Sequence, residues 1–443
     1  MNMYLGGVSV LLFLAVVLEY GFSQVGFRLG TVPLPLTEVF LAGLVYLYIL
    51  IRPFDAIRIP LPGWLLLFVV GLAFYRTLLA LPDWGTLAFR DMTHFAEILT
   101  FFLGLWLFRC SSVRYLRLLC LVVFVAAIAY GSLYPFRFAL QEISPKVTLV
   151  KTVPLVGSMS GVGHAVAAAL FVVLLNTTHP VRYILGAISL GVLAYVQARG
   201  LYLAIPIAVL TAFLSGRRPD RFHILKGILI SLVVALLPIK VMIPLAPTGR
   251  IGEISPQFFW EHLKTAFGAE GVASGSVEHR RRMIAYTIEL VSETPGAWLT
   301  GLGMGIDLIG GSETGSDPTI RKPHDDYLEV YGRLGVTGLV PWVLAIVLVL
   351  SRLVGICRGV KDDEVRRLAI SWLCVAVIYL FIAATQPLFS YPFGAVPFYS
   401  LLGMAWGLHE KYIIGSSSQR HAVPSDRPLW NFDLHPRALG NDG

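Results

Sequence analysis

The chain has 443 residues, 56% of them apolar and only 14% charged, with a formal net charge of +8. A mean hydropathy of +0.72 points away from a water-soluble globule and toward a polytopic membrane protein. The apolar runs are continuous and lack the alternation of barrel strands, so the expected fold class is all-α. Taken in chain order, the runs place spans near Leu5–Gly21, Leu34–Ile51, Leu61–Leu79, Phe95–Phe108, Tyr115–Tyr130 and Gly161–Leu175. Further spans follow near Tyr183–Gln197, Leu201–Leu214, Leu225–Leu245, Val336–Leu350, Leu368–Ala384 and Tyr391–Leu408. That makes about twelve transmembrane helices.

Orientation follows from the basic residues. Counted from a cytoplasmic N-terminus, the even-numbered loops hold Arg52, Arg58, Arg109, Arg114, Arg117 and Arg182. They continue with Arg217, Arg218, Arg221 and Lys226, then Arg352, Arg358, Lys361, Arg366 and Arg367. The short odd-numbered loops hold far fewer: Arg28, Arg90, Arg137, Lys146, Lys151 and Arg199. The positive-inside rule therefore puts both termini in the cytoplasm. The net charge is this topological bias and not a nucleic-acid footprint. Cys110, Cys120, Cys357 and Cys374 lie in helices or near the cytoplasmic side, with no disulfide framework and no zinc spacing. The first apolar run follows no basic segment and reads as an anchor rather than a cleaved signal.

The expected organisation is 1–245 as N-terminal transmembrane helices, 246–333 as a large periplasmic loop, 334–408 as C-terminal transmembrane helices and 409–443 as a disordered cytoplasmic tail. Within the loop, Phe259, Leu263 and Phe267 at helical spacing beside Trp260 predict a helix at the membrane surface. A second, amphipathic stretch runs from Ser276 through Arg280, Arg281 and Arg282 to Val291 and stops at Pro295. Gly301-x-Gly303-x-Gly305 follows. No strand precedes it, so it reads as a turn and not a nucleotide loop. The segment Pro323-His324-Asp325-Asp326-Tyr327-Leu328-Glu329 then opens a helix, supported by Glu329 and Arg333 at i,i+4.

Three places carry candidate chemistry. His324, with acidic neighbours on the aqueous side of a membrane, can act as a general base, with Asp325 and Asp326 orienting it. The alternative is a helix-capping cluster. Adjacent carboxylates rarely complete a metal site without further ligands, so no metal or other cofactor is expected. The run Arg280–Arg282 suits either a pyrophosphate clamp or anionic headgroups. Arg199, at the junction of two apolar runs, suits either snorkelling or an anionic lipid head. Arg76 and Lys240, near outer helix ends, are lesser candidates for the same pocket.

Together these motifs resemble the O-antigen ligase and polysaccharide polymerase superfamily of bacterial inner membranes. Its Ser-Arg-Gly junction is matched by Ala198-Arg199-Gly200, and its Ser-x-x-x-Arg by Ser276 to Arg280, followed by Pro295 and Gly301 to Gly305. Its Pro-His-Asn-x-Tyr-Leu-Glu is matched by the His324 segment, and its Gly-x-x-Gly-Leu by Gly335 to Leu339. Asp325 departs from the usual Asn, and Ile284 stands where an aromatic often follows the arginine. Arg281 and Arg282 leave the register of the key arginine open, with Arg280 the best fit. The resemblance implies a GT-C-like membrane glycosyltransferase of lipopolysaccharide biosynthesis that uses a glycan on undecaprenyl pyrophosphate. The acceptor would be lipid A core for a ligase, or a growing glycan for a polymerase. His324 would be the base of an inverting, metal-free displacement, and Arg199 and Arg280 would hold the pyrophosphate. A lipid-glycan transporter is the alternative from another class. It would require ionisable residues deep in several helices and an internal repeat, whereas the charges read as lying mostly at helix ends.

Overall fold

In the computed structural model the described residues are 1–29, 32–149, 151–159, 161–245, 248–266, 274–310 and 321–414. The chain starts with α1 (Asn2–Val17), α2 (Glu19–Ser23) and a hairpin of β1 (Gly26–Leu29) and β2 (Val32–Pro35), in which Phe27 faces Leu34. Pro35, in extended conformation, opens α3 (Leu36–Ile51), and Pro53 opens the short α4 (Pro53–Ala56). Pro at or just before the first turn loses no hydrogen bond, which is why these helices start there. α5 (Leu61–Trp84) ends at Gly85, whose φ of 52° turns the chain into α6 (Thr86–Ala96). A 3-10 turn at Glu97–Leu99 joins α6 to α7 (Thr100–Cys110), and Ser112 caps α8 (Val113–Gly131) through the Tyr115 amide.

α9 (Arg137–Ile143) and the hairpin of β3 (Lys146–Thr148) and β4 (Thr152–Pro154) follow. Then come α10 (Val162–Asn176), α11 (Val181–Val196), α12 (Arg199–Ser215) and α13 (Arg218–Leu245). The loop segment contains α14 (Pro256–Ala266), α15 (Ser274–Glu293) and α16 (Ala297–Thr300). α17 (Asp326–Gly359), α18 (Asp363–Ala383, capped by Asp362) and α19 (Pro392–His409) complete the bundle.

Every residue of α10 is buried. This helix forms the centre, with α8, α11 and α18 packed around it. α7 and α19 approach closely because both are notched by glycine. A Cβ on Gly104 would collide with the Ser400 carbonyl, and one on Gly403 with the Phe101 carbonyl. Small residues permit such backbone contact between membrane helices. α5 and α17 pack together and leave large apolar side chains outward, among them Trp64, Phe68, Tyr75, Val340 and Val347.

The twelve apolar runs fall largely on helix, the second beginning in β2 at Leu34. Among the described residues five helical stretches are long and apolar enough to cross a membrane: Leu61–Trp84, Thr86–Cys110, Val113–Gly131, Asp326–Gly359 and Asp363–Ala383. α1, α3, α10, α11 and α12 are apolar but have 10–17 residues. At a rise of 1.5 Å per residue they reach roughly 23–26 Å, short of a core of about 30 Å. The protein is therefore an all-α membrane protein with two small hairpins. The fourth expected span also begins earlier than its apolar run, since α6 carries Arg90, Asp91, His94 and then Glu97 into the helical stretch.

The loops rich in arginine converge on one end. Arg109 reaches Glu410 at 3.1 Å and the Asp55 and Arg58 carbonyls, and Arg117 reaches Glu364 at 2.9 Å and the Asn176 carbonyl. Arg366 pairs with Asp220 at 2.8 Å. In the loop segment, α14 occupies the place expected of the surface helix, with Trp260 exposed; Phe267 lies outside the described residues. α17 begins at Asp326, before the expected boundary at 334, and breaks at Gly335, where φ is 63°. Of the expected tail, 415–443 lies outside the described residues.

Candidate active site

At the end of the bundle opposite those arginines an open cleft encloses about 1140 Å³, its mouth included. Its walls come from α2, the start of α3, α6, the β3–β4 hairpin and two connecting segments, 321–324 and 387–392. Tyr20, Glu38, Arg90, Glu97, Lys322 and His324 line it. So polar a cleft in so apolar a chain is built for a polar ligand. Buried Nδ1 of His324 has no hydrogen-bond partner among the described residues. Burial first, then the charges of Arg280 and His279, push this imidazole down to about 4. His324 is therefore neutral near pH 7, the form that accepts a proton.

The two aspartates fix the segment and not the ring. Asp325 Oδ1 accepts from the Leu328 amide at 3.0 Å and so caps α17. Asp326 is buried and accepts from the Phe389 amide at 2.7 Å and from Ser390 Oγ at 3.1 Å. The same hydroxyl lies 2.6 Å from Glu329 Oε2, so its one proton is shared between the two carboxyl groups. Two buried carboxylates thus tie the start of α17 to the segment before α19, and His324 is carried between them. The carboxylates expected to orient the imidazole are engaged with backbone and Ser390 instead.

Arg199 and Arg280 lie within electrostatic reach of one another, and Arg280 within reach of His324. Arg280 is pulled below its ordinary value by burial, then by Arg199 and Arg250. Arg281 and Arg282 are exposed while Arg280 is half-buried, so Arg280 is the member of the run that faces inward. Arg199 is the first residue of α12. A cation there opposes the positive end of the helix dipole and favours an anion nearby. Gln197, buried with φ of 49°, makes the turn between α11 and α12. Its Oε1 accepts from the Ile251 and Gly252 amides at 2.7 and 3.1 Å, which places Arg250 beside the junction. Of the lesser candidates, Arg76 is used on the Gly301 carbonyl at 2.7 Å, and the side chain of Lys240 lies outside the described residues, as does that of Ser276.

Sequence reasoning missed the polar lock beneath the cleft. Arg333 is fully buried and its Nη2 stands 2.9 Å from Asp91 Oδ2, so it pairs with α6 and not with Glu329 along its own helix. The reason is the glycine turn. Gly301, Gly303 and Gly305 have φ of 75°, 101° and 84°, and the turn they form wraps the guanidinium. Gly303 and Ile306 accept from Arg333 Nη1 at 3.2 and 2.7 Å, while the Gly305 amide donates to Asp91 at 2.9 Å. A Cβ on Gly301 would collide with the Arg333 backbone, and one on Gly335 with Leu299 and Gly301. Glu329 instead faces Lys322 at 3.3 Å and His94 at 3.4 Å, and Lys322 Nζ is 3.1 Å from His94 Nδ1. Asp91, His94 and Glu97 recur every third residue in a helical run, which was the available signal. These groups overturn the expectation that charges lie mostly at helix ends.

Among the described residues no cluster of three or more His, Cys, Asp or Glu is placed to hold a metal ion. The site offers a neutral imidazole in a cleft with Arg280 in electrostatic reach of it and Arg199 in reach of Arg280. That combination suits displacement of an anionic leaving group by a hydroxyl. No curated protein matches the chain. A family model described as O-antigen ligase matches residues 183–343, a stretch that holds Arg199, the loop helices, His324 and the Gly335 break. Through this stretch the chain is similar to the O-antigen ligase family.

Proposed function

We propose that the protein is an inverting, metal-independent glycosyltransferase that moves a glycan from undecaprenyl pyrophosphate to an acceptor hydroxyl, with lipid A core as acceptor. His324 takes the hydroxyl proton as the oxygen attacks the anomeric carbon. The bond from that carbon to the phosphate oxygen breaks, and the pyrophosphate leaves on its carrier with both electrons. Arg199 and Arg280 bind the pyrophosphate and balance the charge that develops on it. Asp325 and Asp326 hold the His324 segment in place. The observation that carries the reading is the neutral His324 lining the cleft, its Nδ1 without a hydrogen-bond partner among the described residues and its ring within electrostatic reach of Arg280.

In this reading 1–245 and 334–408 form the transmembrane body, including the shorter apolar helices, in a bacterial inner membrane. The segment 246–333 faces the periplasm, and both termini and the tail 409–443 are cytoplasmic. The convergence of arginine loops at the end away from the cleft supports that sidedness. A growing carrier-linked glycan as acceptor would make the same chemistry a polymerase. The buried Asp91, His94, Glu329 and Arg333 are of the kind a transporter uses, but they are matched to one another and to the glycine turn, as a static lock would be.

Purified protein in lipid, given carrier-linked glycan and acceptor, tests the reading. His324→Ala should lower kcat by about 10²–10⁴, and Arg199→Ala and Arg280→Ala should raise KM for the carrier. Full activity of His324→Ala removes it as the base. In a deletion strain, unligated long chains indicate a ligase and single-repeat products a polymerase, while glycan movement across acceptor-free vesicles indicates a transporter.

A further inference from the structure

Arg90 and Arg321 have no part in the chemistry above, yet both line the cleft that His324 lines. Their charge is poorly balanced. Three guanidiniums surround Asp91, and its Oδ2 is already taken by Arg333 at 2.9 Å and by the Gly305 amide at 2.9 Å. Arg90 Nε is left 3.9 Å from the other oxygen, beyond hydrogen-bond distance. Arg321 donates through Nη2 to the Gly305 carbonyl and lies over the Trp84 ring at 5.6 Å, so its position is fixed. Its Nε is buried and has no hydrogen-bond partner among the described residues. Asp91 and Asp307 act favourably on Arg321, while Arg90 and Arg333 oppose it. Lys322 differs, because Glu329 at 3.3 Å already answers its charge. Glu38 and Glu97 stand elsewhere on the lining and suit the hydroxyls of a sugar.

We propose that Arg90 and Arg321 form an anion subsite for the acceptor, receiving a carboxylate or phosphate group carried by the acceptor glycan. The subsite rests on the reading of His324 as the base. Two residues separate Arg321 from His324, so their Cα atoms lie at most roughly 11 Å apart. The charged group therefore lies about one or two sugar units from the hydroxyl that attacks. The donor's pyrophosphate is held at Arg199 and Arg280, so the two anions use separate pairs of arginines. An acidic acceptor is selected because a neutral one leaves two guanidiniums, of which one shares Asp91 at long range and the other keeps an unpaired Nε, without a full counter-charge.

The test uses the full chain in lipid nanodiscs with three matched acceptor oligosaccharides ending in glucose, glucuronic acid or glucose phosphate. Transfer kinetics with carrier-linked glycan and calorimetric titration of each acceptor alone are measured for wild type, Arg90→Gln, Arg321→Gln and Arg321→Lys. Wild type is expected to favour the charged acceptors by about ten- to a hundredfold, and the better of the two identifies the anion. Each Gln variant should collapse that preference without moving KM for the donor, and Arg321→Lys should keep part of it. Equal affinity for neutral and charged acceptors in wild type overturns the subsite, as does a Gln variant that raises KM for the donor instead. If no acceptor is turned over, the reading of His324 fails, and the titrations still decide the subsite. If a Gln variant does not give a monodisperse protein, the wild-type preference and Arg321→Lys decide it.

Discussion

Arg333→Met removes the fully buried cation paired with Asp91, and the consequence can be sized from its contacts. The guanidinium is fully buried and serves Asp91 Oδ2 at 2.9 Å and the Gly303 and Ile306 carbonyls at 3.2 and 2.7 Å. Removing one partner of a buried ion pair costs about 3–5 kcal/mol, because the other charge stays buried. Asp91 keeps the Gly305 amide at 2.9 Å, and Arg90 is near enough at 3.9 Å to move in. Those remnants place the expected loss in the lower half, about 3–4 kcal/mol. Asp91→Leu leaves Arg333 its two carbonyls, so that loss should be smaller, about 1–3 kcal/mol. In the double variant no charge is left alone, and the two losses should fall short of additivity by about 1–3 kcal/mol. Unfolding in mixed micelles titrated with dodecyl sulfate, followed by circular dichroism, gives all three values. A loss below about 1 kcal/mol for Arg333→Met, or an additive double variant, refutes the lock.

Three further outcomes are expected. The acid limb of kcat/KM should fall near pH 4, the value to which burial and Arg280 push His324; below it the base is protonated, and Arg280→Gln should move the limb up while leaving it short of 6.5, since burial is the larger cause. The same depressed value means the unfolded chain binds the His324 proton more readily than the folded one, so its contribution lowers stability as pH falls from about 6.5 to 4 and is nil above. Asp325→Asn should retain activity and stability, because Asn caps a helix as well as Asp does, whereas Asp325→Ala should lose about 1 kcal/mol; if Asn and Ala are equally impaired in transfer, the charge of Asp325 acts on His324 and capping is not its role. Gly403→Leu should abolish folded yield, read as loss of a monodisperse peak, since the Phe101 carbonyl occupies the place of the new side chain; normal yield would mean that α7 and α19 separate without penalty.

The helices were legible because an apolar run in a membrane chain has few alternatives, and the loop motifs were legible because proline and glycine mark their ends. The lengths were less so. α1, α11 and α12 are cut short where Glu19 and Gln197 take positive φ, and a hydropathy window runs over both breaks. In the site, His324, Arg199 and Arg280 could be read from local sequence, since each belongs to a short motif. The cleft could not. Tyr20, Arg90, His324 and Ser390 come from four distant places, and no one-dimensional pattern joins them. Arg90 was counted as a loop charge for the topology, which hid its neighbours Asp91 and His94. The partner of Arg333 was misassigned for a related reason. Spacing along a helix allowed Glu329, but burial and the glycine turn turned the guanidinium the other way.

The charge arrangement around His324 also bears on the order of events. In the free protein Arg280 and His279 add to the effect of burial and keep the imidazole a weak base, at about 4. A base this weak removes little from an acceptor hydroxyl at neutral pH. Under the proposed function, a pyrophosphate bound at Arg199 and Arg280 brings negative charge to the same place and cancels the arginine potential that reaches His324. The imidazole then becomes a stronger base only once the donor is in position. The same arginines that hold the leaving group thus couple its arrival to the readiness of the base, which favours binding of the carrier before activation of the acceptor.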